Sequence, residues 1–268
     1  MQTDEILEHL IGFDTTSRNS NMELMSFIGD LLEKHGVEFT LLPNETGSKA
    51  NLFATVGKAE GPGVLLSGHT DVVPVDGQDW TKPPFELTRQ DGRYYGRGTT
   101  DMKGFVASAL ATALKASEKT LATPLHLGFS YDEEVGCLGV HSMIDFMKQA
   151  PMRPAFCIVG EPTNLQVATG HKGKTAVKVT CTGREGHSAL APYALNALYL
   201  ASDLIGDIRK LQKEISESGS GDPDYDVPYT TLHVGKLNGG TALNIVPNLC
   251  EMSFEIRNIA ADDPAAIL

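Results

Sequence analysis

The chain has 268 residues, 41% hydrophobic and 21% charged, which is the composition of an ordinary globular protein and enough material for two domains. Asp and Glu outnumber Lys and Arg by 34 to 22, the net charge is -12, and no basic cluster breaks the excess, so a nucleic-acid partner is not expected. No apolar run reaches the roughly 18–20 residues that cross a bilayer, and the N-terminal MQTDEILEHLIGFDTTSRN is acidic where a secretory signal would be basic, so no membrane partner and a cytoplasmic location are expected.

In chain order, helical spacing runs through Ile6, Leu7 and Leu10, then through Leu24, Phe27, Ile28, Leu31 and Leu32, with Gly36 placed to stop the second helix. VEFTLL, NLFATVG and GVLLSG read as strands and DGRYYGRG as a turn with a short strand. Met102 to Ala116 reads as a helix, LHLGFSYD as a strand, GVHSMIDFMKQ as a helix and AFCIVG as a strand. Strand and helix thus alternate from residue 38 to 160, the pattern of an α/β layer with helices on both faces of a mostly parallel sheet. Near residue 168 the character changes. KTAVKVTCTG, TTLHVGKL and LCEMSFEIR alternate apolar and polar residues, as half-exposed antiparallel strands do. Ala191 to Glu217 reads as one long helix ended by a flexible loop, SESGSGDPD, and Asp263 and Pro264 mark the N-cap and first position of a last helix. The expected fold class is α/β, a mostly parallel mixed sheet flanked by helices over residues 1–167, followed by an α+β sandwich over 168–268. Cys137, Cys157, Cys181 and Cys250 form no CxxC pair and are expected to be buried, reduced thiols rather than a zinc knuckle.

The residues with chemistry follow apolar strands. His69 and Asp71 come after VLLSG, Asp101 after YYGRGTT, Glu133 and Glu134 after LHLGFSY, and Glu161 after CIVG. Residues just past the C-terminal ends of parallel strands converge on one crevice. Taken singly, a histidine after a strand is ordinarily structural, an aspartate at a helix start is ordinarily an N-cap, and a Glu-Glu pair ordinarily sits in a solvated loop. Brought together, they would place four carboxylates and an imidazole in one pocket. Such crowding is costly unless divalent cations neutralise it, and the mixed donor set suits zinc, with cobalt or manganese as weaker fits.

SGHTDVVP, GRGTTDMKGF, YDEEVGCLG and VGEPT, in that order, resemble the motif series of the family of zinc-dependent exopeptidases and deacylases, and the resemblance covers essentially the whole chain. It implies a zinc-exopeptidase-like catalytic domain over 1–167 and a lid domain over 168–268 through which the protein forms a homodimer. It also implies two divalent metals, zinc with cobalt as the alternative. Asp101 matches the carboxylate that bridges them, His69 and Glu161 the remaining ligands of the first, and Glu134 a ligand of the second. Glu133 matches the general base and Asp71 the partner that fixes the imidazole tautomer. His187 resembles a lid histidine that helps hold the oxyanion across a dimer interface. Asn244 and Arg257 resemble groups that grip a substrate carboxylate, while from the residues alone Asn244 also reads as a turn residue and Arg257 as a surface strand residue.

The implied reaction removes an N-acyl group from a small amino acid. GHKGKTAVKVTCTGREGHSA and NGGTALNIVPNLCEMSFEIR are most similar to the branch that acts on N-acetylornithine, giving ornithine and acetate in arginine biosynthesis. Succinyl-diaminopimelate, or a substrate of a related metallo-exopeptidase, is the alternative. One departure stands out. The family pattern has a further histidine ligand well beyond the lid, and His171, His187 and His233, the histidines after Glu161, lie in no such motif. The second metal is therefore expected to lack a protein ligand, both domains are expected to lack their final strands, and the chain, as a fragment or natural truncation, is expected to be weakly active or inactive alone. A metal-binding fragment without turnover stays open beside the hydrolase. The sequence has no GxxxxGK[ST], no GxGxxG after an early strand and no GxSxG elbow, which sets aside nucleotide binding and a serine mechanism.

Overall fold

A computed structural model describes residues 1–57, 61–150, 154–218 and 221–268, which divide into two units, Met1–Gln166 and Val167–Leu268. In the first unit the described elements are helices α1 (Thr3–Gly12) and α2 (Met22–Lys34), strands β1 (Phe39–Pro43), β2 (Ala50–Val56), β3 (Gly63–His69), β4 (Thr88–Gln90) and β5 (Arg93–Tyr95), helix α3 (Lys103–Ser117), strand β6 (Leu125–Ser130), helix α4 (Val140–Gln149) and strand β7 (Pro154–Val159). The main sheet has the order β1-β2-β6-β3-β7. β3 pairs in parallel with β6 and β7, whereas β2 is antiparallel to both β1 and β6, so four of the five strands run one way and β2 alone is reversed. The reversal has a local cause. β1 and β2 are joined by a tight turn, closed by Asn44 N–H donating to the Lys49 carbonyl at 2.8 Å and by Gly47 in the left-handed region, and so short a link permits only an antiparallel neighbour. Strict alternation of strand and helix fails at this point, and again at the β4–β5 hairpin, whose Asp91-Gly92 turn has positive φ at both residues.

The pleat divides the apolar residues between two faces. Leu52, Ala54, Val56, Leu127 and Phe129 point into a cluster with Ile6, Leu10, Leu24, Ile28, Leu32, Val106 and Leu110 of α1, α2 and α3. Phe53 and Leu65 point the other way, onto Met143 of α4. Helices therefore cover both faces of the sheet, and each fully buried Leu, Ile or Phe stabilises it by about 1.5–3 kcal/mol. α2 ends where Gly36, at φ +67, lets the Gly36 and Val37 N–H groups return to the Glu33 and Leu32 carbonyls. A buried polar stitch fixes the strand ends that carry the site. Asn21 Nδ2 donates to the Ala50 carbonyl at 2.9 Å and to Thr70 Oγ1 at 3.1 Å, and its Oδ1 accepts from Ala50 N–H at 3.0 Å. Thr70 Oγ1 donates in turn to the Ser130 carbonyl at 2.9 Å.

In the second unit, strands β8 (Thr175–Thr182), β10 (Thr231–Gly239) and β12 (Leu249–Arg257) form an antiparallel sheet in the order β10-β12-β8, and helix α5 (Ala197–Ser218) packs across it, burying Ala197 and Ala201 against Cys250. Two short strands, β9 (Gly186–His187) and β11 (Ile245–Val246), pair beside it. Helix α6 (Pro264–Ile267) has Pro264 at its first position and Asp263 Oδ1 accepting from Ala265 N–H at 2.9 Å. The long helix expected from Ala191 starts only at Ala197. Ser188–Tyr193 is a 3-10 segment containing Pro192, Leu195 pairs with Arg184 in an isolated bridge, and Asn196 Oδ1 accepts from Leu198 N–H at 2.9 Å, which opens α5 there. Residues 219 and 220 of the expected loop lie outside the described residues.

All four cysteines are free thiols, but only Cys250 is fully buried. Cys157 is exposed on β7, and Cys137 is exposed in the loop after β6. Among the described residues, no helix is long and apolar enough to cross a membrane.

Candidate metal centre

His69 is the last residue of β3 and is 1% exposed. Its Nδ1 lies 2.9 Å from the Asp71 carbonyl and 3.5 Å from Asp71 Oδ1, so the nearer partner is the backbone oxygen and the carboxylate adds its charge. Its Nε2 lies 3.0 Å from Asp101 Oδ1 and 3.8 Å from both Glu133 Oε2 and Glu161 Oε1. Four chain segments thus deliver carboxylates to one imidazole. Asp101 reaches it from the turn before α3. That turn is tight, since a Cβ on Gly104 would sit 2.4 Å from the Thr99 carbonyl oxygen, so glycine is required there. Asp101 does not cap the helix: Met102 holds the N-cap position with no side-chain cap, and its Sδ accepts the His69 N–H at 3.2 Å.

Asp71 organises the next loop. Its Oδ1 accepts from Glu133 N–H at 3.1 Å, and its Oδ2 accepts from Glu134 N–H at 3.3 Å and from Ser17 Oγ at 2.7 Å. Two sets of ligand-type atoms lie within 4.8 Å of one another: His69, Glu133 and Glu161, and His69, Asp101 and Glu134. The adjacent glutamates fall in different sets. The charge of Asp101 also acts on Glu161, which links the two. His187, Asn244 and Arg257 belong to the second unit. His187 Nδ1 accepts from Ala189 N–H at 3.1 Å. The Asn244 carbonyl accepts from Ser188 N–H at 3.0 Å, which keeps Asn244 beside His187. Arg257 lies at the end of β12, in a different sheet, and its Nε donates to Glu255 Oε1 at 3.1 Å.

The titration of the first-unit cluster reflects its crowding. Burial opposes charge on His69, but the hydrogen bond to Asp71 and the charges of Asp71, Glu133 and Glu161 outweigh it and hold the pKa up to about 9. Burial also opposes the Asp71 carboxylate, yet the hydrogen bonds from His69, Ser17 and Glu133 N–H keep it below the usual carboxylate range. Burial, and next the charge of Asp101, push Glu134 up to about 7. Burial raises Glu161 as well; His69 works against the rise, and Asp101 and Glu133 add to it. These carboxylates lack sufficient positive charge, and the imidazolium proton stands where a cation would serve better. Oxygen-rich donors with one imidazole, crowded to this degree, fit a divalent cation.

Several residues near the centre carried no motif. Ser17 and Lys49 contribute through contacts 54 and 83 residues away in sequence, to Asp71 and Asp132. Lys103 is fully buried, donates to the Leu10 and Phe13 carbonyls at 2.9 and 2.8 Å, and is lowered to about 7 by burial, against the charges of Asp14 and Asp71. A lysine in the first turn of a helix runs against the helix dipole, and that was the one available signal for it.

A model of Peptidase family M20/M25/M40 matches residues 65–264. An acetylornithine deacetylase from Shigella sonnei is 38% identical over 240 residues, covering 89% of this chain and 61% of the relative. The chain spans about three-fifths of the length of the curated relatives it matches. Among solved structures, an M20 family metallo-carboxypeptidase from Sulfolobus solfataricus superposes with a TM-score of 0.80 at 19% identity, covering 100% of this chain and 73% of that one. The Bacillus subtilis YXEP protein, described as a dinuclear metal binding peptidase from the M20 family, gives 0.59 at 16% identity, covering 99% and 66%.

Proposed function

This chain belongs to peptidase family M20/M25/M40, and from that premise we propose that it holds two divalent cations, zinc first and cobalt as the alternative, for a hydrolase that removes the acyl group from N-acetylornithine. The observation that carries the reading is the meeting of Asp101, Glu133, Glu134 and Glu161 on the single imidazole of His69. The substrate rests on the relatives named acetylornithine deacetylase, with succinyl-diaminopimelate as the second candidate. A cytoplasmic setting and a homodimer through the second unit belong to the same proposal; the exposed Tyr193, Leu195 and Tyr199 of that unit offer apolar surface for a second copy.

Divalent cations bound at such a centre supply Lewis acidity to water and to the amide carbonyl. The chain's own residues supply the rest. Asp101, Glu134 and Glu161 would be the carboxylates that hold the cations, together with His69, which is common to both ligand sets. His69 commits Nδ1–H to the Asp71 carbonyl and so turns its Nε2 lone pair toward the ligand cluster. Glu133, with its backbone N–H held by Asp71 and its side chain 37% exposed, takes the proton from water and returns it to the departing amine. In the second unit His187 accepts on Nδ1, which places its proton on Nε2 as a donor for the oxyanion. Arg257, whose side chain is 42% exposed and only partly engaged by Glu255, and the exposed Asn244, which follows the opposite end of the β10–β12 ladder, are the candidate groups for the substrate carboxylate.

A second reading is a metal-binding chain without turnover. It is favoured by one observation: among the described residues His69 is the only imidazole in either ligand set. The test assays this chain, and any longer form containing it, loaded with zinc or cobalt, on a panel of acetylated and succinylated amino acids. Preferred cleavage of N-acetylornithine, abolished by a chelator, is the expected result. Preference for a succinylated substrate overturns the substrate assignment, and full metal occupancy without any cleavage decides for the second reading.

A further inference from the structure

We propose that Lys49 is a positioning residue for the Glu133–Glu134 turn, holding that turn in register with His69 by clamping Asp132 and Ser17 together; the role rests on the reading of this cluster as a metal centre. Lys49 Nζ donates to Asp132 Oδ1 at 2.5 Å and to the Ser17 carbonyl at 2.5 Å. The Lys49 and Asp132 side chains are 14% and 15% exposed, so the pair is shielded from water and its attraction exceeds that of a surface ion pair. The contacts close a ring. Ser17 Oγ donates to Asp71 Oδ2, Asp71 accepts the N–H groups of Glu133 and Glu134, and Asp132, the residue before them, returns to Lys49. Four segments far apart in sequence are tied by this ring: residue 17 before α2, residue 49 before β2, residue 71 after β3 and residues 132–134 after β6.

The turn needs an external tie. Asp132 has φ +55, in the left-handed region that a non-glycine residue adopts at a cost of roughly 1 kcal/mol. The following turn is closed from within by Gly136 and Cys137 N–H groups on the Glu133 carbonyl, which sets its shape but not its place above β3. Place is set by Asp71 on one side and Lys49 on the other, with Asn51 Oδ1 accepting from Tyr131 N–H at 3.3 Å just before Asp132. Without the Lys49 ammonium, Asp132 becomes a largely buried, unpaired carboxylate beside Glu133 and Glu134, and its repulsion acts on the residues whose oxygens must meet His69 and Asp101.

The test compares wild type, Lys49→Met, Lys49→Arg and Asp132→Asn by zinc affinity against a competing chromophoric chelator, by the visible absorption spectrum of the cobalt-loaded protein, and by the melting temperature of the metal-free form. Lys49→Met is expected to weaken zinc binding about 10- to 100-fold and to change the cobalt spectrum, with Lys49→Arg restoring most of both. Asp132→Asn tolerates the same left-handed backbone and keeps an Oδ1 acceptor for Lys49 while removing the carboxylate charge, so it is expected to weaken zinc binding less than Lys49→Met does, and its affinity and cobalt spectrum set against its melting temperature carry the test if Lys49→Met does not fold. A lowered melting temperature with affinity and cobalt spectrum unchanged from wild type overturns the role of Lys49. Wild type that binds neither metal overturns the metal-centre reading itself, and the role of Lys49 with it.

Discussion

In metal-free protein, the proton on His69 should hold the fold together, and raising the pH should release that stabilisation. The His69 pKa rises from 6.5 to about 9 because Asp71 and the neighbouring glutamates favour the imidazolium more than burial opposes it. At 1.36 kcal/mol per unit, that difference corresponds to about 3 kcal/mol, and the ring is 1% exposed, so solvent screening removes little of it. A pKa raised in the folded state means that the stabilisation is fully present below 6.5 and lost as the pH climbs through 9. Asp71, held below its usual range, stays charged throughout that window. Urea denaturation of chelator-treated wild type and His69→Gln at pH 6 and pH 9.5, followed by circular dichroism, reads the effect. Lys103, at about 7, titrates in both proteins and cancels, whereas the His69 charge lowers Glu134, so the difference between the two reads His69 together with its pull on that glutamate. Wild type should lose about 3 kcal/mol more than His69→Gln across that range. Equal losses would refute the claim that the carboxylates act on this imidazole.

Three further outcomes rest on the same contacts. Glu133→Gln should keep zinc affinity within a few-fold of wild type while lowering turnover of the acylated substrate by about 10²- to 10⁴-fold, measured on matched metal-loaded samples; parallel loss of metal would make Glu133 a ligand instead. Asn21→Ala should cost about 2–4 kcal/mol in urea denaturation, since it strands the buried Ala50 N–H and carbonyl, and a cost under about 1 kcal/mol would show that the stitch is dispensable. Gly104→Ala should weaken zinc binding as well as lower the melting temperature, because its methyl group must displace the Thr99 carbonyl and with it the turn that carries Asp101; unchanged affinity would separate that turn from the site.

The centre was legible in the sequence because parallel strands bring the residues at their C-terminal ends to a common edge. His69, Glu133, Glu134 and Glu161 lie at or just past the ends of β3, β6 and β7, three neighbouring strands, so their apolar runs alone predicted the meeting. Asp101 arrives by another route: YYGRG ends the β4–β5 hairpin and not a strand of the main sheet, so the strand-end argument does not account for its place there. The residues that hold the ligands were not legible. Ser17 and Lys49 act through hydrogen bonds across 54 and 83 residues, and no periodicity encodes such contacts. Cys157 looked buried because AFCIV is apolar; exposure depends on what packs against the faces of the strand, which composition does not reveal. The late start of α5 was hidden for a related reason. Helical spacing continues through Leu190 and Leu195, while Pro192 and the capping amide of Asn196 decide where the helix begins.

The most direct test of the account is calorimetric titration of metal-free protein with zinc at pH 7, in two buffers of different ionisation enthalpy. With the His69 pKa at about 9, uptake should displace its proton, so zinc binding accompanied by release of protons to the buffer, and lost in Asp101→Ala, is the expected result. No zinc uptake by wild type, or uptake that Asp101→Ala leaves unaltered, would contradict it.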